Sequence, residues 1–418
     1  MGLTLLRLLV YAHLLGVDEF GRFSAALLVS SGFCMLGCLG LMPMLQREWP
    51  VRLVRGQKRR GWLLALQCIG IALALAAGFA AAAVAGGAVV GLAGPVLVLA
   101  LLHGCTQQVF LVVSTESRSA GDALRYAWQQ LARGLALLLG GWALVASGAR
   151  AEAVLAFEAT VTLAVAVAIL HRAEGARRLP ALLPLALRSL TRLRWRTALT
   201  MMGVMLLSFA MSNIDRWLAA EWLGHAAFGP YALAVIVLST AQAAQALINA
   251  SGYPLIARRF AAAGPAQAAR LSLRISAVTF AAGALVLVPG VVAAQWAVGR
   301  WYPDYAPALR LIPWLAAIGL IRAADFWSSF LVIAGHEALT LKLNLASAVV
   351  VLAAWALWLL PVPERMQSPV AYVALAAAIT LAGGLCTFIA AWRLRRTPQP
   401  ASAAEAGPGP QRGNNSPL

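Results

Sequence analysis

The chain repeats itself about halfway along, and that duplication limits its architecture more than any local pattern. The stretch from Asn213 to Ala234 opens the second half. Moved back 208 positions, its Trp222, Leu223, Gly224, Phe228, Gly229 and Tyr231 fall on Leu14, Leu15, Gly16, Phe20, Gly21 and Phe23. The shared pattern is Leu-Gly-x-x-x-Phe-Gly-x-(Phe/Tyr). A second echo joins Met42-Pro43-Met44-Leu45-Gln46-Arg47 to Tyr253-Pro254-Leu255-Ile256-Ala257-Arg258 at an offset of 211. In 418 residues an offset near 209 means two stacked copies of one unit, because a long internal period marks a fold built by duplication.

That unit belongs in a bilayer. The chain is 61% hydrophobic and 11% charged, with a mean hydropathy of +0.79, whereas soluble domains carry about 25% charged residues. The net charge of +18 does not point to nucleic acid. A nucleic-acid surface needs a basic face on a soluble domain, and here the arginines sit in short loops between apolar runs. Cys34, Cys38, Cys68, Cys105 and Cys386 all lie inside apolar runs with no metal-ligand spacing, so they read as small packing residues.

A membrane helix takes roughly 20 mainly apolar residues, and the hydropathy predicts about twelve. They run approximately over 1–15, 23–45, 62–84, 90–113, 124–146, 152–171, 197–219, 228–250, 275–296, 307–334, 341–360 and 370–392. With the N-terminus inside, six cationic residues fall in the loop Gln46 to Gly61 and seven between Arg172 and Arg196. Inside segments then hold 24 in all, outer ones five. The positive-inside rule therefore predicts that both termini are cytoplasmic. Six helices per copy give parallel repeats. The expected fold class is an all-α integral membrane protein, with one lobe over 1–171, a basic amphipathic cytoplasmic linker over 172–196, a second lobe over 197–396 and a disordered tail over 397–418. The first span is short and has neither a basic leader nor a cleavage site, which makes a poor signal peptide; the expectation is that this helix begins upstream of Met1. Tryptophans near span ends, such as Trp49, Trp62, Trp296, Trp301 and Trp392, read as interface anchors.

Charges inside the bilayer cost a few kcal/mol on insertion scales and mark function by default. Arg7 and Asp215 are quasi-equivalent under the 208-residue offset. They read either as a charge pair or ligand contact across the pseudo-twofold, or as an interfacial Arg7 and a helix end at Asp215-Arg216. Ser208, Ser212 and Asp215 share one face of their helix. Gln242, Gln245 and Asn249 form a polar stripe that lines a cavity or bonds neighbouring helices. Arg322 and Asp325, at i and i+3, are spaced to pair within a helix. Arg133 lies about 12 Å into the fifth span at 1.5 Å per residue. Glu158, in the sixth, is an acid able to carry a proton or meet a sodium ion, as is Asp215. His103, Thr106 and Gln107 share a face of the fourth span, where a packed histidine is expected. No soluble-enzyme motif, nucleotide-binding loop or cofactor fingerprint is present, so the chain reads as a transporter rather than an enzyme, driven by an ion gradient, a substrate gradient or another subunit.

Three segments carry a family likeness: Leu15-Gly16-Val17-Asp18-Glu19-Phe20-Gly21-Arg22-Phe23, Leu39-Gly40-Leu41 followed by Arg47, and Asp215-Arg216 followed by Leu223-Gly224 and Phe228-Gly229-Pro230-Tyr231-Ala232. With these motifs the chain resembles the polysaccharide transport family of oligosaccharide flippases, in the superfamily that also holds multidrug and toxin exporters. The resemblance implies two six-helix lobes in a V around a central cavity, in the cytoplasmic membrane of a bacterium. It implies a cationic cavity for a polyprenyl-diphosphate-linked oligosaccharide, with Arg7, Arg133, Arg216 and Arg322 as candidates for the anion and Gln242, Gln245 and Asn249 for the glycan. Asp215, Glu158 and Asp325 are candidates for a charge pair or for proton or sodium coupling. Membrane lipids and polysaccharide polymerase or export machinery are the implied partners. An ion-coupled multidrug or toxin exporter is the nearest rival. A membrane glycosyltransferase or polymerase is disfavoured by the short outer loops.

Overall fold

A computed structural model describes residues 2–172, 179–359 and 361–394, which are almost wholly helical. The tail expected to be disordered, 397–418, lies outside the described residues, as do linker positions 173–178 and the side chain of Asn249.

The first half runs α1 (Gly2–Leu15), α2 (Val17–Leu36), α3 (Leu41–Val54), α4 (Lys58–Val84), α5 (Gly94–Ser119), α6 (Ala123–Ala146) and α7 (Ala151–Arg172). A two-residue hairpin, β1 (Ala88–Val89) with β2 (Leu92–Ala93), precedes α5. The linker forms α8 (Leu179–Arg188) and a 3-10 turn over Leu190–Arg192. The second half is α9 (Trp195–Trp222), α10 (Gly224–Trp301), α11 (Ala308–Ala323), α12 (Phe326–Ile333), α13 (Glu337–Leu359) and α14 (Pro369–Leu394). Among the described residues nine helical segments are long and apolar enough to cross a membrane, and the bent pair α2–α3 makes a tenth. This is a multi-pass membrane protein. Of the other two expected spans, α1 has 14 residues and α6, with 24, carries Arg125 and Arg133.

The duplication is written into the backbone. Gly16 (φ 77°) and Gly224 (φ 69°), 208 apart, turn the chain between the first two helices of each half, and Gly56 (φ 69°) and Gly264 (φ 78°), again 208 apart, turn it before the third. These left-handed values suit glycine because it has no Cβ to clash.

The repeated Phe-Gly-x-(Phe/Tyr) has a packing reason. Phe20 and Phe23 of α2 and Phe228 and Tyr231 of α10 are all buried, and the intervening glycines let α2 and α10 touch backbone to backbone. A Cβ on Gly21 would lie 2.0 Å from the His225 carbonyl oxygen, and one on Gly229 would lie 2.4 Å from that of Val17. Small residues permit this approach where lipid supplies no hydrophobic drive between helices. The two halves thus meet through equivalent glycines.

Several expected spans change shape. The second, placed at 23–45, begins at Val17 and breaks between Leu36 and Leu41 with a 57° bend. There Gly40 adopts φ 78°, and a Cβ on it would lie 1.9 Å from the Ala198 carbonyl oxygen, so α3 docks on the start of α9. The fourth starts with the hairpin rather than helix. The eighth and ninth belong to α10, broken at Gly264. The tenth is interrupted at Ala324–Asp325. Trp49 and Trp62 are not interface anchors: both are buried and pack edge to face, ring centroids 5.1 Å apart. Trp296 and Trp301 are exposed.

Candidate functional site

Polar side chains gather in three places. In the first half, Glu158 of α7 is fully buried. Its Oε1 meets Arg7 Nη1 of α1 at 2.8 Å, and its Oε2 meets His103 Nε2 of α5 at 3.2 Å. The other ring nitrogen of His103 lies 2.8 Å from the Ser30 hydroxyl of α2. Gln107 extends the chain from His103 to Arg133 of α6, which donates to the Gln107 side-chain oxygen and lies over the Phe110 ring at 4.3 Å. Arg7 also faces the Tyr11 ring at 5.8 Å. One network of ion pairs and hydrogen bonds therefore crosses five helices of this half.

The second place is a cavity of about 230 Å³ between the halves, bounded by α1 and α2 on one side and α9 and α10 on the other. Ser24, Ser31, Asn213, Arg216, Tyr231 and Ser239 supply its polar wall, and Phe20 and Phe228 part of its apolar wall. Arg216 Nη1 donates to Asn213 Oδ1 at 3.0 Å. Its Nε and Nη2 are buried with no hydrogen-bond partner in the protein. Beside it Asp215, also buried, accepts from the Tyr231 hydroxyl at 2.5 Å.

The third is a cavity of about 290 Å³ within the second half. Ser208 and Ser212 of α9 and Gln242 and Gln245 of α10 face Arg322, Asp325, Asn344 and Thr380. Gln245 donates to the Arg322 carbonyl at 2.6 Å, and Arg322 Nε donates to the Thr380 hydroxyl at 3.0 Å. Arg322 Nη1 is buried without a protein partner. A buried guanidinium N–H left unpaired is costly, so both cavities favour a group that accepts hydrogen bonds, an anion most of all.

These placements regroup the expected site residues. Arg7 and Asp215 do not pair across the pseudo-twofold, because Glu158 takes Arg7 and Tyr231 takes Asp215. Arg322 and Asp325 do not pair within a helix either. The helix ends between them, and Asp325 caps α12, accepting from the Ser328 backbone N–H at 3.1 Å and its hydroxyl at 2.8 Å. Of the four arginines, only Arg216 and Arg322 line the two cavities; Arg7 and Arg133 belong to the network of the first half. His103 is buried, as expected, but it is also the hub of that network.

Comparison with known proteins gives one informative likeness. No family model matches the sequence, and no curated protein matches it. The fold is that of a solved flippase. The structure of lipid II flippase MurJ in its inward closed conformation superposes with a TM-score of 0.58, covering 93% of this chain and 84% of that one at 8% identity. At that identity the likeness is one of fold alone.

Two contributors were missed in the sequence although each left a trace. Tyr231 stands where the first copy has Phe23, and that added hydroxyl is the one Asp215 uses. Asn344 is an isolated amide in an apolar span, and such residues turn away from lipid. Ser30 and Thr380 left none, since hydroxyls commonly bond to their own helix.

Proposed function

We propose that the chain is a flippase that carries a polyprenyl-diphosphate-linked oligosaccharide, the repeat unit of a surface polysaccharide such as O-antigen or exopolysaccharide, from the inner to the outer leaflet of the bacterial cytoplasmic membrane by alternating access. The observation that carries this reading is the pair of polar cavities, each holding an arginine with buried, unpartnered N–H groups. Arg216 and Arg322 receive the diphosphate, because the guanidinium fork matches phosphate oxygens. Gln242 and Gln245, with Asn344, bind sugar hydroxyls, while the polyprenyl tail stays in the bilayer. The fold neighbour is itself a flippase, of lipid II.

Both termini lie in the cytoplasm on this reading, and the released lipid-linked unit passes to polymerase or export machinery outside. The chain carries no nucleotide-binding loop, and on this reading translocation draws on an ion gradient, the substrate gradient or another subunit. Glu158, held by Arg7 and His103, is our choice for proton or sodium coupling. Arg7 and Arg133 act on the network rather than on substrate. The rival is an ion-coupled multidrug or toxin exporter, which a buried acid such as Glu158 also suits; the arginine-bearing cavities favour an anionic cargo instead.

The test is a deletion in the source organism, scored for surface polysaccharide and for lipid-linked oligosaccharide retained on the inner leaflet, then complemented with wild type, Arg216→Ala and Arg322→Ala. Polymer lost with intact precursor trapped inside, and restored by wild type alone, supports the flippase. Normal polymer with altered sensitivity to toxic cations supports the exporter.

A further inference from the structure

The densest cluster of positive charge lies outside all three polar regions. Where α3 and α4 meet the linker there is a pocket of about 470 Å³ lined by Arg47, Arg52, Arg55, Arg60, Arg192 and Arg194. One acid, Glu48, shares it and is already engaged by Arg52, which also donates to the Arg60 carbonyl. Arg47, Arg55, Arg192 and Arg194 have no carboxylate within ion-pair distance among the described residues. Like charges repel, so six arginines facing one space favour an anion between them.

The pocket is built rather than incidental. Gln67 of α4 ties down the linker, donating to the Ala186 carbonyl at 3.2 Å and to the Ser189 hydroxyl at 2.9 Å. The Trp195 indole donates to the Leu190 carbonyl at 2.9 Å, closing the turn that presents Arg192 and Arg194. The remaining lining is Gln57, which accepts from Arg60, and an apolar wall from Met44, Val51, Leu64 and Leu193. On α8, Leu182 and Ala186 are buried while Leu183 and Leu187 are 46% and 55% exposed. Before Arg188 the helix has no polar side chain, so the face left uncovered is apolar and suits a bilayer surface better than water. A charged pocket with an apolar wall, beside exposed leucines at the bilayer surface, suits an amphiphile rather than a free ion.

We infer that this pocket binds the phosphate headgroup of an anionic lipid, holding the linker and the α3–α4 elbow together on the anionic leaflet. The inference is independent of the flippase reading. Phosphate on a lipid has two sources here, a glycerophospholipid or a polyprenyl diphosphate, and the test separates them.

Native mass spectrometry of the full chain in neutral detergent is titrated with cardiolipin, phosphatidylglycerol, phosphatidylcholine, a polyprenyl diphosphate and inorganic diphosphate. Wild type is compared with Arg47→Gln/Arg55→Gln/Arg192→Gln/Arg194→Gln and with a charge-matched control, Arg258→Gln/Arg259→Gln/Arg270→Gln/Arg274→Gln. The expected result is at least tenfold weaker binding of the anionic phosphate lipids by the pocket variant, with the control within twofold of wild type. Cardiolipin or phosphatidylglycerol as the tightest ligand assigns the pocket to a bilayer phospholipid; displacement of both by polyprenyl diphosphate assigns it to that headgroup. Equal losses in both variants, retention of phosphatidylcholine as tight as the anionic lipids, or binding of inorganic diphosphate without lipid overturns the inference. If the fourfold variant does not fold, Arg192→Gln/Arg194→Gln, off the membrane helices, is expected to weaken binding at least threefold against a matched Arg258→Gln/Arg259→Gln control.

Discussion

Arg7 of α1 and Glu158 of α7 form a fully enclosed ion pair, 2.8 Å from Nη1 to Oε1, that joins the first and last helices of the first half. Removing one partner of such a pair leaves a buried charge uncompensated, at a cost of about 3–5 kcal/mol, whereas replacing both with apolar groups of similar volume is often nearly neutral. Glu158→Leu is therefore expected to melt well below wild type, and Arg7→Met/Glu158→Leu to recover most of the loss, in thermal unfolding of the purified protein. A double variant as unstable as the single would mean the pair does not hold the first half together. Transport by the double variant separates stability from coupling, and it is expected to be lost.

Arg216 and Arg322 are expected to matter through geometry as well as charge. In proteoliposomes, Arg216→Ala and Arg322→Ala should each lower translocation at least tenfold, about 1.4 kcal/mol, with unchanged melting. Arg322→Lys keeps the charge but loses the fork that lets one nitrogen hold Thr380 while others face the cavity, so it should restore only part. Full activity in Arg322→Lys would reduce the residue to a point charge.

Asp325 offers a clean separation of a cap from a carrier. As the N-cap of α12 it needs an accepting oxygen, which asparagine also provides. Asp325→Ala should destabilise by about 1 kcal/mol, and Asp325→Asn should be close to neutral in both stability and transport. Loss of transport in Asp325→Asn with normal melting would instead place its charge in the coupling step.

The glycine contact between the halves is tested by adding one carbon. Gly21→Ala places a Cβ against the His225 carbonyl and should cost about 1–3 kcal/mol by overpacking. Gly78→Ala, in α4 with nothing within 4 Å, should be neutral or stabilising by up to about 1 kcal/mol. Similar melting of the two variants would remove the glycines from the account of how the halves meet.

Much of the fold is legible before any coordinates exist, because its signals are one-dimensional. Apolar runs of span length locate the helices, and the 208-residue echo pairs Gly16 with Gly224 and Gly21 with Gly229. The breaks were less legible. The bend after Leu36 and the interruption before Asp325 lie inside continuous apolar runs, and hydropathy averages over the few residues where a helix stops. The site was legible as composition only: Arg322, Gln242 and Gln245 stand out as polar residues in apolar spans, yet their grouping does not.

Sequence alone determined that the chain is a duplicated, all-helical membrane protein and which polar residues lie in its membrane spans, because hydrophobic length and repeat period are properties of the linear order. Tertiary structure alone decided the partners: Glu158 with Arg7 and His103 rather than Asp215 with Arg7, and Asp325 with Ser328 rather than Arg322. The reason is rotational. Spacing along a helix says which residues share a face, but the direction that face points is set by packing against neighbours, here by α2 and α10 closing on each other through Gly21 and Gly229.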